Sequence, residues 1–175
     1  QVLGAVPDYP SGRESLYLLA RSVNDFMPVH MANLAEAGLK RVGKTVTGSR
    51  IALLGWSFIA NSGDWRNTPS ASFRDAVIAR GGDVVVHDPY VSGVHGVDIR
   101  QDLSSVLEGS DAVAVFTGHA AYRSLDPVRC RELSGCSHPV IVDGRNIIDP
   151  DAFIQEGWIY KGIGRGDRNG HAIRE

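Results

Sequence analysis

Cysteine is nearly missing from this chain. Its 175 residues hold two, Cys130 and Cys136, and none of the six histidines stands at a zinc-ligand spacing from them. No CxxC pair forms either, so neither a disulfide scaffold nor a zinc site is expected. Two reduced thiols fit a cytoplasmic protein. Neither lies in a glycine-rich loop or at a clear helix start that would favour the thiolate, so neither reads as a nucleophile. An excess of one charge is missing too. The net charge of -2 argues against nucleic acid or an anionic membrane as partner. No apolar run approaches the roughly 18 residues of a membrane span. The opening residues lack the basic-then-apolar order of a secretory signal. Finally, no GxGxxG follows Gly55, so a plain dinucleotide-binding reading is weak.

What is present is an ordinary globular composition, 43% apolar and 22% charged, enough for one domain with an appendage. Residues 1–15 read as an irregular lead-in, rich in proline and glycine. From residue 16 to 43 the pattern is a long helix. Leu16, Leu19, Ala20, Val23, Met27, His30, Met31, Leu34 and Ala37 recur at three- and four-residue steps. Pro28 should kink it or mark its weakest turn. A helix this long ahead of an independent domain is expected to pack on something outside itself, another subunit or a further domain.

Residues 44–49 break the pattern, and an alternation follows. Strands are expected at 51–58, 83–89, 111–119, 139–146 and 158–164, and helices at 69–82, 102–110, within 120–134 and at 149–157. Thr68 is the expected cap of the helix that opens with Pro69. Strands separated by helices imply an α/β fold: a Rossmann-like parallel sheet with helices on both faces over residues 48–165, preceded by the long helix and followed by a flexible tail over 166–175.

Ligands of such sheets bind at the carboxy ends of the strands. Arg145, after a buried strand and a glycine, could clamp a phosphate or carboxylate, or form a surface pair with Asp149. The helix start at Thr68 favours an anion, or is an ordinary cap. Asp88 could accept a ribose hydroxyl, although Asp-Pro more often ends a strand in a turn. His119 reads as a hydrogen-bonded structural histidine, and Trp56, Trp65 and Trp158 as core. Residue chemistry alone reaches an anion- or nucleotide-binding α/β domain with a helical arm.

Several strings then coincide. ARSVNDFMPVHM (20–31), GWSFIANSGDWRNTPS (55–70), HDPYV (87–91), DAVAVFTGHAAY (111–122), VDGRN and YKGIGRG resemble, in order, the central helix and carboxy-terminal domain of the UDP-glucose/GDP-mannose dehydrogenase family. The resemblance implies a three-part enzyme: a first domain for NAD, a central helix that builds a homodimer, and a second domain for the nucleotide sugar. It implies oxidation of a sugar C6 alcohol to a carboxylate with two NAD, through a cysteine thiohemiacetal and thioester. That cysteine sits in a loop before the central helix, and neither Cys130 nor Cys136 matches it. With that loop and the NAD domain outside this chain, no cofactor is expected on it, and it is expected to be inactive alone.

The resemblance also implies substrate contacts at Phe58, the aromatic of the first loop, and at Arg145 of the D-G-R motif. His30 stands where some members approach the neighbouring subunit's substrate. Asn24 beside it reads as structural, and Asp64, Arg66, Thr68 and Pro69 shape the loop. One departure is that Ile59 replaces the family's lysine, so its charge must come from elsewhere, with Lys161 and Arg66 as candidates. The NDxMPxH helix and RNTPS loop look most like the branch acting on UDP-N-acetylhexosamines. The alternative is a non-catalytic nucleotide-binding or dimerisation module.

Overall fold

The computed structural model describes residues 16–166 and residue 169. The lead-in expected over 1–15 and all of the expected tail but residues 166 and 169 lie outside the described residues. The long helix α1 runs Leu16–Arg41 through Pro28 without interruption. It is followed by β1 (Arg50–Leu54), α2 (Pro69–Ile78), β2 (Asp83–His87), β3 (Ile99–Arg100), α3 (Leu103–Leu107), β4 (Ala112–Val115), α4 (Pro127–Ser134), β5 (Val140–Asp143), α5 (Pro150–Gln155) and β6 (Ile159–Gly162). The segment expected to be helical over 120–134 is a 3-10 turn at Ala120–Tyr122 and then α4. The two-residue strand β3 was not expected, being too short to show a pattern of its own.

All six strands are parallel, in the order β3-β2-β1-β4-β5-β6. Parallel neighbours need crossovers, which the helices supply. Both faces of the sheet are therefore covered, and the strands are continuously apolar. Ile51 and Leu53 face one core with Val86, Ala114, Val142 and Ile159. Ala52 and Leu54 face the other with Val113, Ile141 and Tyr160. Strand order reverses at β1: the chain leaves it toward β2 and returns on its other side as β4. Such a switch point opens a crevice between diverging loops at the strands' carboxy ends.

α1 belongs to the first of these cores along half its length. Pro28, Met31, Ala32, Ala35, Gly38 and Leu39 are buried, against α2 and the β4-β5-β6 half of the sheet. The expected single stripe is thus corrected. Ala37 is exposed and His30 and Leu34 are half-buried, whereas the packed seam is the small-residue row at 32, 35 and 38, flanked by Met31 and Leu39. A Cβ on Gly38 would stand 2.5 Å from Val140 Cγ1, so the helix touches the sheet where it has least side chain. Ahead of Pro28 the helix leaves the body. Leu16, Leu19, Val23 and Phe26 are all exposed there, Leu16 by 78%.

Candidate functional site

At the switch point lies a cleft of about 820 Å³. Its walls come from six segments. α1 gives Asn24, Met27, Pro28 and Met31, the β1–α2 connection gives Phe58, Arg66 and Asn67, and the start of α2 gives Thr68, Pro69 and Ser72. Phe116 follows β4, Gly144 and Arg145 follow β5, and Ile163 follows β6. Pro28 has no N–H, so the Asn24 carbonyl on this wall lacks its usual helical donor.

Two buried carboxylates build the loops that carry the lining side chains. Asp143, 1% exposed, ends β5 and turns its oxygens on the chain that follows. Oδ1 accepts from the N–H groups of Arg145 (2.9 Å) and Asn146 (2.7 Å), and Oδ2 from those of Ile147 and Ile148 (2.9 Å each). Such a side-chain-to-backbone turn folds the loop locally. Gly144 fits against α1 because it has no side chain: a Cβ there would stand 2.8 Å from Met31 Cε and 3.0 Å from the Val115 carbonyl.

Asp88 ends β2 and is fully buried, at 0% exposure. Its Oδ2 accepts from the N–H groups of Trp56 (2.7 Å) and Ser57 (2.8 Å), and its Oδ1 from those of Tyr90 (2.8 Å) and Val91 (3.1 Å). This decides between the two readings of that residue. It is a turn and a staple, with no oxygen left for a ribose. Burial works to raise its carboxyl, but the N–H groups of Ser57, Tyr90 and Trp56 and the ring of His119 outweigh it and hold the group below the ordinary carboxylate range.

Thr68 caps α2 as expected, its Oγ1 accepting from the Ser70 N–H at 3.2 Å, with Pro69 behind it. The N-terminus of α2 therefore opens on the cleft and carries partial positive charge there. The charged side chains of the lining divide into two kinds. Arg21 is held by Asp25 at 3.0 Å. Arg66 grips Asp64 with Nε (2.9 Å) and Nη2 (2.7 Å), which draws the Asp64 carboxyl down to about 2. Arg145 is exposed and makes no ion pair among the described residues. Asp149, the partner that a surface pair would need, instead caps α5 by accepting from Asp151 and Ala152 N–H.

Of the four residues singled out from sequence, Phe58 and Arg145 line the cleft together. His30, half-buried on α1, and Lys161, half-buried on β6 opposite Val142, are not among the lining residues. Ile59 is 53% exposed and is not a lining residue either. Phe116, Ile163, Met27 and Met31 were not singled out, because an apolar residue at the end of a strand or on a helix carries no local mark of facing a cleft. Trp56 and Trp158 are core as expected, but Trp65 is 43% exposed and lies outside both the core and the cleft lining. Burial pushes the Cys130 thiol up to about 11. NAD, the cofactor that the resemblance implies, does not fit the β1–α2 connection. The tight glycine turn that brings a pyrophosphate onto a helix start is replaced by a loop running from 55 to 68. Among the described residues no group of His, Cys, Asp and Glu could hold a metal, and no helix is long and apolar enough to cross a membrane.

Comparison with known proteins decides the family. Residues 52–150 match the description "UDP-glucose/GDP-mannose dehydrogenase family, UDP binding domain". The chain belongs to the UDP-glucose/GDP-mannose dehydrogenase family. Within that family, it is 34% identical over 154 residues to the UDP-N-acetyl-D-mannosamine dehydrogenase of Pyrococcus horikoshii, covering 87% of this chain and 34% of that protein. It is 31% identical over 153 residues to the UDP-glucose 6-dehydrogenase YwqF of Bacillus subtilis, covering 84% of this chain and 34% of that protein. A solved structure of NDP-N-acetyl-D-galactosaminuronic acid dehydrogenase from Methanosarcina mazei Go1 superposes with a TM-score of 0.90. It is 50% identical, covering 95% of this chain and 35% of that one. The first and third of these names carry an N-acetylhexosamine, the branch to which the helix and loop motifs pointed, whereas YwqF is named for UDP-glucose. The chain spans about a third of the length of these relatives.

Proposed function

We propose that this chain is the nucleotide-sugar-binding part of an NAD-dependent UDP-sugar 6-dehydrogenase, and that its cleft takes the UDP moiety. The observation that carries this reading is Arg145. It is a guanidinium without a carboxylate partner among the described residues, on a loop fixed by Asp143, at a cleft that the N-terminus of α2 also borders. Both features favour a phosphate. Phe58 offers an aromatic face on the same cleft, and Met27, Pro28, Phe116 and Ile163 offer apolar walls. A UDP-N-acetylhexosamine is the proposed substrate, in keeping with the names of the Pyrococcus horikoshii and Methanosarcina mazei proteins.

NAD and the catalytic cysteine belong, on this reading, to the rest of the enzyme. Purified alone, the chain should release no NADH from a UDP-sugar. Calorimetry is the direct test of the cleft. Binding of UDP without binding of NAD is the expected result, and the reverse would overturn the proposal.

His30 and Lys161 keep a place in the proposal only as residues that contact substrate in the assembled enzyme. A homodimer is proposed to form through the half of α1 that leaves the body, since Leu16, Leu19, Val23 and Phe26 are exposed and find no cover among the described residues. Val23→Asp should then shift the sedimentation of the chain from dimer to monomer. A parent chain that sediments as a monomer at high concentration would refute the dimer.

A further inference from the structure

The loop that presents Phe58 hangs on the end of a different strand. After β1 the chain leaves its sheet register, and Asn61 turns through the left-handed region at φ 56°. From the segment after β2 only the Tyr90 hydroxyl reaches this part of the loop, at 3.5 Å from Asn61 Oδ1, among the described residues. The shorter anchors come from the segment after β4. Thr117 Oγ1 donates to the Ser57 carbonyl at 2.5 Å. The Ala120 N–H donates to Asn61 Oδ1 at 2.9 Å.

Between them stands His119, 0% exposed. Its Nδ1 accepts from the Asn61 backbone N–H at 2.8 Å. That bond leaves the ring proton on Nε2. Nε2 faces Asp88 Oδ2 and Ser57 Oγ, each at 3.1 Å. Tyr90 lies against the same ring, with centroids 5.0 Å apart. One imidazole thus ties Asn61 on the far side of Phe58 to Ser57 and Asp88 on its near side.

We infer that His119 is the positioning residue of the site: by accepting the Asn61 N–H it fixes the turn on which Phe58, 57% exposed, is held over the cleft. The bond acts on the ligand through Phe58 and never touches it. An exposed aromatic contributes to binding only if its backbone is already set, because ordering a free loop costs more than one ring contact returns. The inference rests on the reading of the cleft as a nucleotide site.

The two ring nitrogens can be tested separately. An asparagine amide ends about where Nδ1 stands and can accept from Asn61, whereas a glutamine amide reaches about to Nε2 and keeps only the Asp88 side. UDP affinity of the chain by calorimetry, with thermal melting as the control, is the measurement. His119→Asn is expected to bind UDP within about twofold of the parent, and His119→Gln about tenfold more weakly, the size of one lost buried hydrogen bond. Equal affinities in the two variants would overturn the inference, whether both match the parent or both fall.

Should His119→Gln not fold, hydrogen exchange of the unaltered chain reads the same bond. The Asn61 amide is expected to exchange slowly and more slowly still with UDP. Exchange at open-loop rates would overturn the inference by itself. A parent chain that does not bind UDP would remove the nucleotide reading, and Asn61 exchange would still judge the anchor.

Discussion

The loops after β1 and β5 both carry a side chain to the cleft, and they are built in opposite ways. The loop after β5 is local. One carboxylate, Asp143, collects the next N–H groups along the chain, and Arg145 emerges from a turn only a few residues long. The loop from 55 to 68 is assembled at long range. Asp88 from β2 and Thr117, His119 and Ala120 from beyond β4 hold it, and Phe58 emerges from a structure that exists only once three strands are side by side. A local turn needs little from the fold to be correct, whereas a long-range one transmits the state of the fold to the site.

The largest test of that contrast is Asp88→Ala. It orphans four backbone donors, three of them buried, in two separate segments, and should cost about 3–5 kcal/mol in urea unfolding. A loss under about 1 kcal/mol would show that water replaces the carboxylate, and that the long-range loop is held by something else. The same group gives an acid limb. Because the folded carboxyl titrates below its unfolded value of about 3.9, its stabilisation is complete above about pH 4 and is lost as pH falls through the lowered folded value. The slope of stability against pH in that window should flatten in Asp88→Asn.

Arg145→Ala probes the local loop where it meets ligand. UDP binding should weaken by about 1.5–3 kcal/mol, the range for a hydrogen bond to a charged group. Thermal stability should barely change, since the side chain is exposed and unpaired among the described residues. Unchanged UDP affinity would put the phosphate elsewhere.

Gly144→Ala strains the same loop from beneath. Met31 Cε can swing away from the new methyl, but the Val115 carbonyl is backbone and cannot. A loss of about 1–2 kcal/mol in stability is expected, and a neutral result would mean that the loop floats free of α1. The smallest effect is expected from Ile59→Lys. Residue 59 follows Phe58 but is not part of the lining, so UDP affinity should stay within about twofold while stability moves by less than about 0.5 kcal/mol. A tenfold gain in affinity would mean that the long-range loop turns residue 59 toward the phosphate.

Much of this molecule was legible in its sequence, and three Asp-Pro pairs show where legibility stops. Asp126-Pro127 and Asp149-Pro150 begin helices, the aspartate accepting the first free N–H groups and the proline filling the position that needs none. Asp88-Pro89 is the same dipeptide, yet its carboxylate is buried and reaches back to Trp56 and Ser57. Nothing in the pair itself distinguishes these outcomes. Apolar runs separated by helical segments established the parallel sheet, and Thr68-Pro69 marked the start of α2, because strand periodicity and caps are set by neighbours along the chain. D-G-R singled out Arg145 but placed it inside a strand expected to run to 146, whereas β5 ends at Asp143 and a turn follows.

Tertiary structure decided the rest. It set the small-residue row of α1, flanked by Met31 and Leu39, against the sheet and left the first half of the apolar stripe exposed. It left His30 and Lys161 outside the cleft lining and brought Phe116 and Ile163 into it. It also joined His119 to Asn61. Each of these depends on which distant backbone lies opposite, and a hydrogen bond or a close approach between remote segments leaves no period in either one.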